Sequence, residues 1–440
     1  MAKRNKKQTR RLRNLIMICT LCAVVLTVST YAWFIGMKTV NVSSFDIDIA
    51  TTEGLYLSMD GINWSYKLDA KKTTAYQGHT NTWADGENEG LIPMSTIGDM
   101  DSSVSRMKLF EKASLTTTPG GYRLLTSRVN NYATSGDEIA QGKGYVAFDL
   151  FIKNLSGEHY YELNQESNEE AIYLTTNSAV TVAKDGIANT GIENSVRVAF
   201  TQIGRVKADT ADGKETTEQA AITGITCSDA TINGIKVTGI CRDAQIWEPN
   251  DKNHVANAIN WYETACATRK ETGSLVTEKS SYNVDPTRTA CGKVENGKNY
   301  ATYAVSRPIT VADNVDVYDG AVYNGYIKNS KSYKDYKAAT NKDELKLVDY
   351  PYFTDTMKNL TGTNRPTFMT LAPNSITKLR VYIYMEGQDI DNYDFASLGA
   401  KISVNFGFTK ERITEDDFDY DGPYTGTVPT SGDEVATPEA

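Results

Sequence analysis

The sequence predicts a mainly β protein built as an antiparallel β-sandwich, and three observations carry that prediction. Apolar and polar residues alternate in several separated segments, few stretches have helical spacing, and no period of 20 to 50 residues marks a solenoid. A chain of 440 residues with 40 % hydrophobic content can bury the core such a fold needs.

The first element is an N-terminal apolar helix. Seven of the 46 Lys and Arg residues and no acid lie within residues 1–32, and Leu15 to Met37 is an uncharged run of 23 residues. That length crosses a bilayer as a helix, and its basic flank stays in the cytoplasm, so the chain beyond residue 37 is expected outside the cell. Thr30 and Ala32 occupy the two positions a signal peptidase reads, so 1–32 is a signal peptide or a signal anchor. If uncut, residues 15–37 hold the protein in the membrane. Beyond residue 32 the remaining 39 bases face 55 acids, a formal charge of −16. Nucleic acid is excluded as a partner, because phosphate binding needs a basic stripe.

Residues 33–205 form the first part of the sandwich. Val40 and Val42 share one face, and after a one-residue slip at Ser43-Ser44 so do Phe45, Ile47 and Ile49, as in a long strand with a bulge. KGYVAFDLFIKN puts Val146, Phe148, Leu150 and Ile152 on one face, and SVRVAF does the same with Val196, Val198 and Phe200. Residues 206–300 read as a mixed α/β insertion or second lobe. Its NHVANAINWYETACATRK has helical spacing, with Arg269 and Lys270 suited to a helix C-terminus. It also holds Cys227, Cys241, Cys266 and Cys291, an even set that fits disulfides outside the cell and permits three pairings. Residues 301–412 complete the sandwich, with Leu379, Val381, Ile383 and Met385, then Ile402, Val404, Phe406 and Phe408, facing the core. The opposite face of these strands, with Tyr382 and Tyr384, reads as wet. Residues 413–440 form an acidic disordered tail.

The residues offer little enzyme chemistry, and no catalytic residue is assigned. His79, His159 and His254 have no second ligand at metal spacing and read as surface or loop residues. GKVENGKN has the spacing of a phosphate loop but ends in Asn299 where Ser or Thr should bind magnesium. DFDYDG places Asp417, Asp419 and Asp421 at calcium-loop positions, but Val428 stands where a bidentate glutamate belongs. A solvated tail is the simpler reading, and calcium is the one cofactor the sequence leaves open. Glu386, Asp389, Asp391 and Asp394 lie in EGQDIDNYD between two strands, where Asp and Asn stabilise a polar turn.

The basic start, the apolar run, Thr30-Tyr31-Ala32-Trp33-Phe34 and a strand beginning near Phe45 together resemble the TasA/camelysin group of Gram-positive surface proteins. The segments GLYLSMDGINWS, YVAFDLFIKNLS, NSVRVAFTQIG, IWEPNDKNH and VYIYMEGQDID resemble larger exported proteins with the same type of signal. The resemblance implies a cut between Ala32 and Trp33 by a dedicated signal peptidase, a jelly-roll-like sandwich, and extracellular fibres of a biofilm matrix. It also implies self-association through a donor strand carrying Val40, Val42, Phe45, Ile47 and Ile49. The chain departs from the smaller members of the group in its size and its cysteine-bearing insertion. The alternative is a membrane-anchored adhesin that binds a glycan or a host protein.

Mass spectrometry of the protein recovered from cells and medium is expected to find a chain that starts at Trp33. A chain that still begins near Met1 would mean a retained anchor.

Overall fold

The computed structural model describes residues 46–51, 54–69, 91–96, 98–118, 121–128, 144–184, 186–208, 215–260, 309–311, 315–317, 319–322, 352–387, 389–392, 401–414 and 417. The protein is mainly β, with antiparallel sheets and short helices.

The large sheet is organised on three long strands. β12 (Val196–Lys207) pairs antiparallel with β21 (Ser375–Glu386) along its whole length, with a bulge at Gln202 to Gly204. β9 (Val146–Asn154) pairs with the other edge of β21, and β2 (Leu55–Ser58) extends the sheet beyond β9. On the β12 side, β14 (Ile235–Gly239) and β15 (Gln245–Glu248) are antiparallel neighbours. β13 (Ala230–Ile232) joins β14 through Asn233-Gly234, where both residues have positive φ, 51° and 85°, as a two-residue hairpin turn requires. β19 (Phe353–Thr354) runs parallel to β15 and leads into the short helix α2 (Asp355–Lys358), capped by the Thr354 hydroxyl. Alongside the last two residues of β21, β4 (Pro93–Ser95) pairs in parallel and continues the sheet through β7 (Phe110–Thr118) and β8 (Gly121–Arg128) to β18 (Asp319–Val322).

The second sheet runs in the order β20 (Met369–Leu371), β10 (Glu170–Leu174), β22 (Ile402–Thr409), β1 (Asp46–Thr51), β3 (Lys67–Asp69), and β11 (Ala179–Val182) also pairs with β22. Two small ribbons remain, β5 (Met100–Asp101) with β6 (Arg106–Met107), and β16 (Ile309–Val311) with β17 (Val315–Val317). The segment 206–300 adds β13, β14, β15 and the helix α1 (Glu215–Thr223), and a further helix begins at residue 256.

Alternation assigns the core residues correctly. Phe148, Leu150, Ile152, Val198, Phe200, Leu379, Val381 and Ile383 from the large sheet join Ile49, Ile172, Val180, Val404, Phe406 and Phe408 from the other in one hydrophobic cluster. Phe200 sits at its centre, edge-on to Phe368, Phe406 and Phe408 at ring separations of 5.3, 5.0 and 5.6 Å.

On the large sheet the expectation of a wet opposite face is overturned, whereas on β22 Ser403 and Asn405 of that face stay half-buried. Tyr382 and Tyr384 are completely buried, together with Met94, Met107, Leu109, Ile246 and Tyr352. Farther along the same face, Phe151 and Ile376 pack with Ala221, Ile222, Ile225 and Val237. Chain from 91–96 and 98–109, from α1 to β15, and around Tyr352 covers this face, so all twelve residues of β21 are buried.

Phe200→Ala is expected to cost about 3–5 kcal/mol in urea unfolding, the usual loss for an aromatic ring removed from a packed core. A loss below about 1 kcal/mol would mean that the ring is not an integral part of that core.

Candidate functional site

Two features stand out: the place of the first strand, and a set of charges buried beneath the covered face. β1 lies between β22 and β3. It runs parallel to β22 over six register pairs, from Asp46 and Ser403 to Thr51 and Phe408, and antiparallel to β3 over three. Parallel neighbours cannot be joined by a tight hairpin, so strand pairing and burial must hold β1 in the sheet. Ile49 is completely buried, with Phe406 as its register partner. The Thr51 hydroxyl donates to the Leu55 carbonyl at 2.9 Å, and the Thr51 amide donates to the Tyr66 carbonyl at 2.9 Å.

Of the predicted donor-strand residues, Ile47 and Ile49 lie in β1, while Val40, Val42 and Phe45 lie outside the described residues. So do Ala32, Trp33 and the run 15–37. Among the described residues no helix is long and apolar enough to cross a membrane.

The structure joins Cys227 to Cys241 in a disulfide, and Cys266 and Cys291 lie outside the described residues. Sequence alone left three pairings open. The Asp417 carboxylate accepts from the Thr414 amide at 2.6 Å and from its hydroxyl at 3.1 Å, closing a turn. Asp419 and Asp421 lie outside the described residues, and among those described no three His, Cys, Asp or Glu side chains are placed to hold a metal ion.

The buried charges form three groups. In the first, Asp149 of β9 accepts from Arg380 of β21 through both oxygens, at 2.7 and 3.1 Å, and Lys378 reaches the same carboxylate at 3.2 Å. Arg380 also donates to the Ser105 carbonyl at 2.8 Å, and the Ser105 hydroxyl accepts from the Cys227 amide at 2.9 Å. Lys378 donates to the Thr223 carbonyl at the end of α1 and the Ile225 carbonyl just after it, at 2.9 and 3.1 Å. The two cations paired with Asp149 therefore tie the β5–β6 turn, with the Cys227 amide bound to it, and the chain at the end of α1 to the central strands. Burial, reinforced by Arg380, lowers the Lys378 ammonium to about 8 although Asp149 favours its charged form.

In the second group, Arg197 of β12 is fully buried between Glu248, at 2.6 Å, and Asp389, at 2.5 Å. Burial opposes its charge, but these carboxylates outweigh that effect and raise its pKa. Tyr352 lies under the guanidinium and donates to Glu386 at 3.2 Å, and burial followed by the Glu386 charge pushes the phenol well up. Asp391 accepts from the Val255 amide at 3.0 Å and pairs with His254 Nδ1 at 2.8 Å, and burial raises its carboxyl. His254 lies in a loop, as expected of a surface or loop residue, but its side chain is only 6 % exposed, whereas His159 is exposed. Asp389 and Asp391 thus hold a cation and an amide inside the protein and Glu386 holds a phenol, rather than forming a polar turn alone; Asp394 lies outside the described residues.

The third group centres on Glu169. Arg242 binds it at 2.7 and 2.8 Å, Arg205 contacts the same carboxylate, and Thr370 donates at 2.7 Å. Burial alone would raise this carboxyl, but the hydrogen bonds and the two cations hold it below the ordinary range.

The segment IWEPNDKNH connects several elements. Trp247 donates from Nε1 to Asp355 at 2.8 Å, Glu248 meets Arg197, and Asn250, at φ 58°, donates to the Val180 carbonyl at 2.9 Å. Asp251 accepts from the Thr356 hydroxyl at 2.7 Å. Chemically, these groups act as ties: each carboxylate is held by donors from a distant part of the chain. Sequence reading missed Arg197, Asp149, Lys378 and Arg380 because charges on the face opposite the core look solvated. The one available signal is their clustering on three otherwise apolar strands. No protein-family model, curated protein or solved structure matches this chain.

Replacing Asp149 with Leu leaves two buried cations without their carboxylate and is expected to cost at least about 3–5 kcal/mol or prevent folding. Arg380→Met should cost more than Lys378→Met, which relieves a desolvated charge. Between pH 8 and 10.5 the unfolded chain holds the Lys378 proton that the folded chain releases, so this group makes stability rise with pH. Lys378→Met should remove that contribution, at most about 1.4 kcal/mol per pH unit. Urea unfolding across that range checks this, and identical slopes in the two proteins would refute it.

Proposed function

We propose that this chain is an exported cell-surface structural protein, a subunit of an extracellular fibre or biofilm matrix that assembles through its N-terminal strand. In this reading the two sheets are the leaves of a jelly-roll-like sandwich. The observation that carries it is the seat of β1 between β22 and β3, with Ile49 buried and a parallel neighbour from the other end of the chain.

A slot that accepts this strand from its own chain offers the same hydrogen bonds and the same apolar floor to the strand of a second copy. Exchange between identical slots changes few contacts, which makes strand swapping a low-cost route to assembly. Gly54, at φ 82°, stands between β1 and β2, and a short link of this kind favours exchange. Cleavage after Ala32 frees the strand end that exchange requires. The alternative, a membrane-anchored monomeric adhesin, is favoured by the uninterrupted uncharged run from Leu15 to Met37.

Asp48 and Asn405 are register partners on β1 and β22. The double variant Asp48→Cys, Asn405→Cys, oxidised before assembly, should lock the strand in its own slot. Electron microscopy should then find monomers when oxidised and fibres after reduction. Equal fibre yield in both states would sink the exchange mechanism. Absence of fibres from the wild-type protein cleaved at Trp33 would turn the reading to the adhesin.

A further inference from the structure

A pocket of about 340 Å³ lies beside the β13–β14 hairpin. Its size is at the lower end of the range for small-molecule sites, about 300–1,000 Å³. The apolar lining comes from Val206, Ala221, Ile222, Ile235 and Ile376, which belong to β12, α1, β14 and β21. These elements also form a packed part of the core, so the floor is rigid.

The polar side is built by an irregular strap that includes Tyr160 and Glu162. Arg205, fully buried, holds this strap by donating to the carbonyls of Tyr161 and Leu163 while it contacts Glu169. The same guanidinium lies 5.9 Å over the Tyr160 ring and fixes its position. The Tyr160 hydroxyl is buried and makes no hydrogen bond of full distance and angle, with Thr238 and Arg205 as its near neighbours. Burial raises its pKa, with Thr238 and Arg205 pulling the other way. At the rim, Lys236 on the hairpin pairs with Glu162 on the strap at 3.1 Å, and Lys207 makes no ion pair among the described residues. Two lysines against one glutamate give this rim a local positive charge on a protein whose chain beyond residue 32 carries −16.

We propose that this pocket binds a small monocarboxylate with a compact apolar body. The body packs on the isoleucine floor, the Tyr160 hydroxyl donates to a ligand oxygen, and Lys207 and Lys236 face the carboxylate. Binding breaks the Lys236 to Glu162 pair, an exposed contact that costs little to lose. Neither cleavage at Ala32 nor fibre formation enters this inference.

The test uses the full-length chain in lipid nanodiscs with ¹³C-labelled isoleucine methyl groups. It is titrated with 4-phenylbutanoate and, separately, with 4-phenylbutan-1-ol, which has the same apolar body and no charge. Saturable shifts are expected at Ile222, Ile235 and Ile376 with the acid, with Kd below about 1 mM. The alcohol should bind at least about tenfold weaker, as should the acid to the Lys207→Met, Lys236→Met double variant, and Tyr160→Phe should weaken the acid about threefold or more. Ile222→Trp, which fills the pocket, should abolish the shifts at Ile235 and Ile376. No saturable shift up to about 10 mM acid would overturn the site. Equal binding of acid and alcohol would overturn the assignment of an anionic ligand, and shifts that persist in Ile222→Trp would place the binding elsewhere.

Discussion

Asp149 shares its carboxylate between Arg380 and Lys378 in the middle of a sheet that solvent does not reach. A buried ion with no partner costs several kcal/mol, so the covered face can exist only if these charges find one another. Once they do, the remaining donors of Arg380 and Lys378 have definite targets: the Ser105 carbonyl, the Thr223 carbonyl at the end of α1 and the Ile225 carbonyl just after it. The β5–β6 turn and the α1 segment are therefore docked by electrostatics as well as by apolar contact. Arg197 and Glu169 repeat the device farther along the molecule, joining loops that are distant in the chain to the central strands.

This arrangement separates two kinds of surface on β9, β12 and β21. One face meets the second sheet through aliphatic and phenylalanine side chains and needs no polar partners. The other carries charges and tyrosines and is buried by its own connecting segments. The first face is indifferent to which chain supplies an apolar strand of the right register, because hydrophobic burial is non-directional. The second is specific, since each ion needs a particular partner. In the proposed reading, that contrast would let β1 act as the exchangeable element while the covered face stays with its own chain.

The strap at Tyr160 shows the same specificity turned outward. Arg205 is spent on Glu169 and on two strap carbonyls, which fixes the tyrosine ring above an aliphatic floor and leaves its hydroxyl without a hydrogen bond of full distance and angle. The Asn233-Gly234 turn brings Lys236 to the opposite rim. A pocket results from elements whose positions are set by other constraints.

The sequence by itself determined that Val146–Ile152, Val196–Phe200, Leu379–Met385 and Ile402–Phe408 are strands and which of their residues meet the core. It could do so because a period of two is written in residue type. It also showed a basic start followed by an uncharged run, the ground for expecting export. Alternation reports the polarity of a face but not what covers it, so Arg197, Arg380 and Tyr382 read as wet until distant segments were seen packed over them. Nor does it report strand direction or cysteine partners: the parallel seat of β1 beside β22 and the joining of Cys227 to Cys241 are relations between residues far apart in sequence or not distinguished by spacing. Only the tertiary structure decides these, because they depend on which surfaces meet in space, and residue spacing carries no record of that.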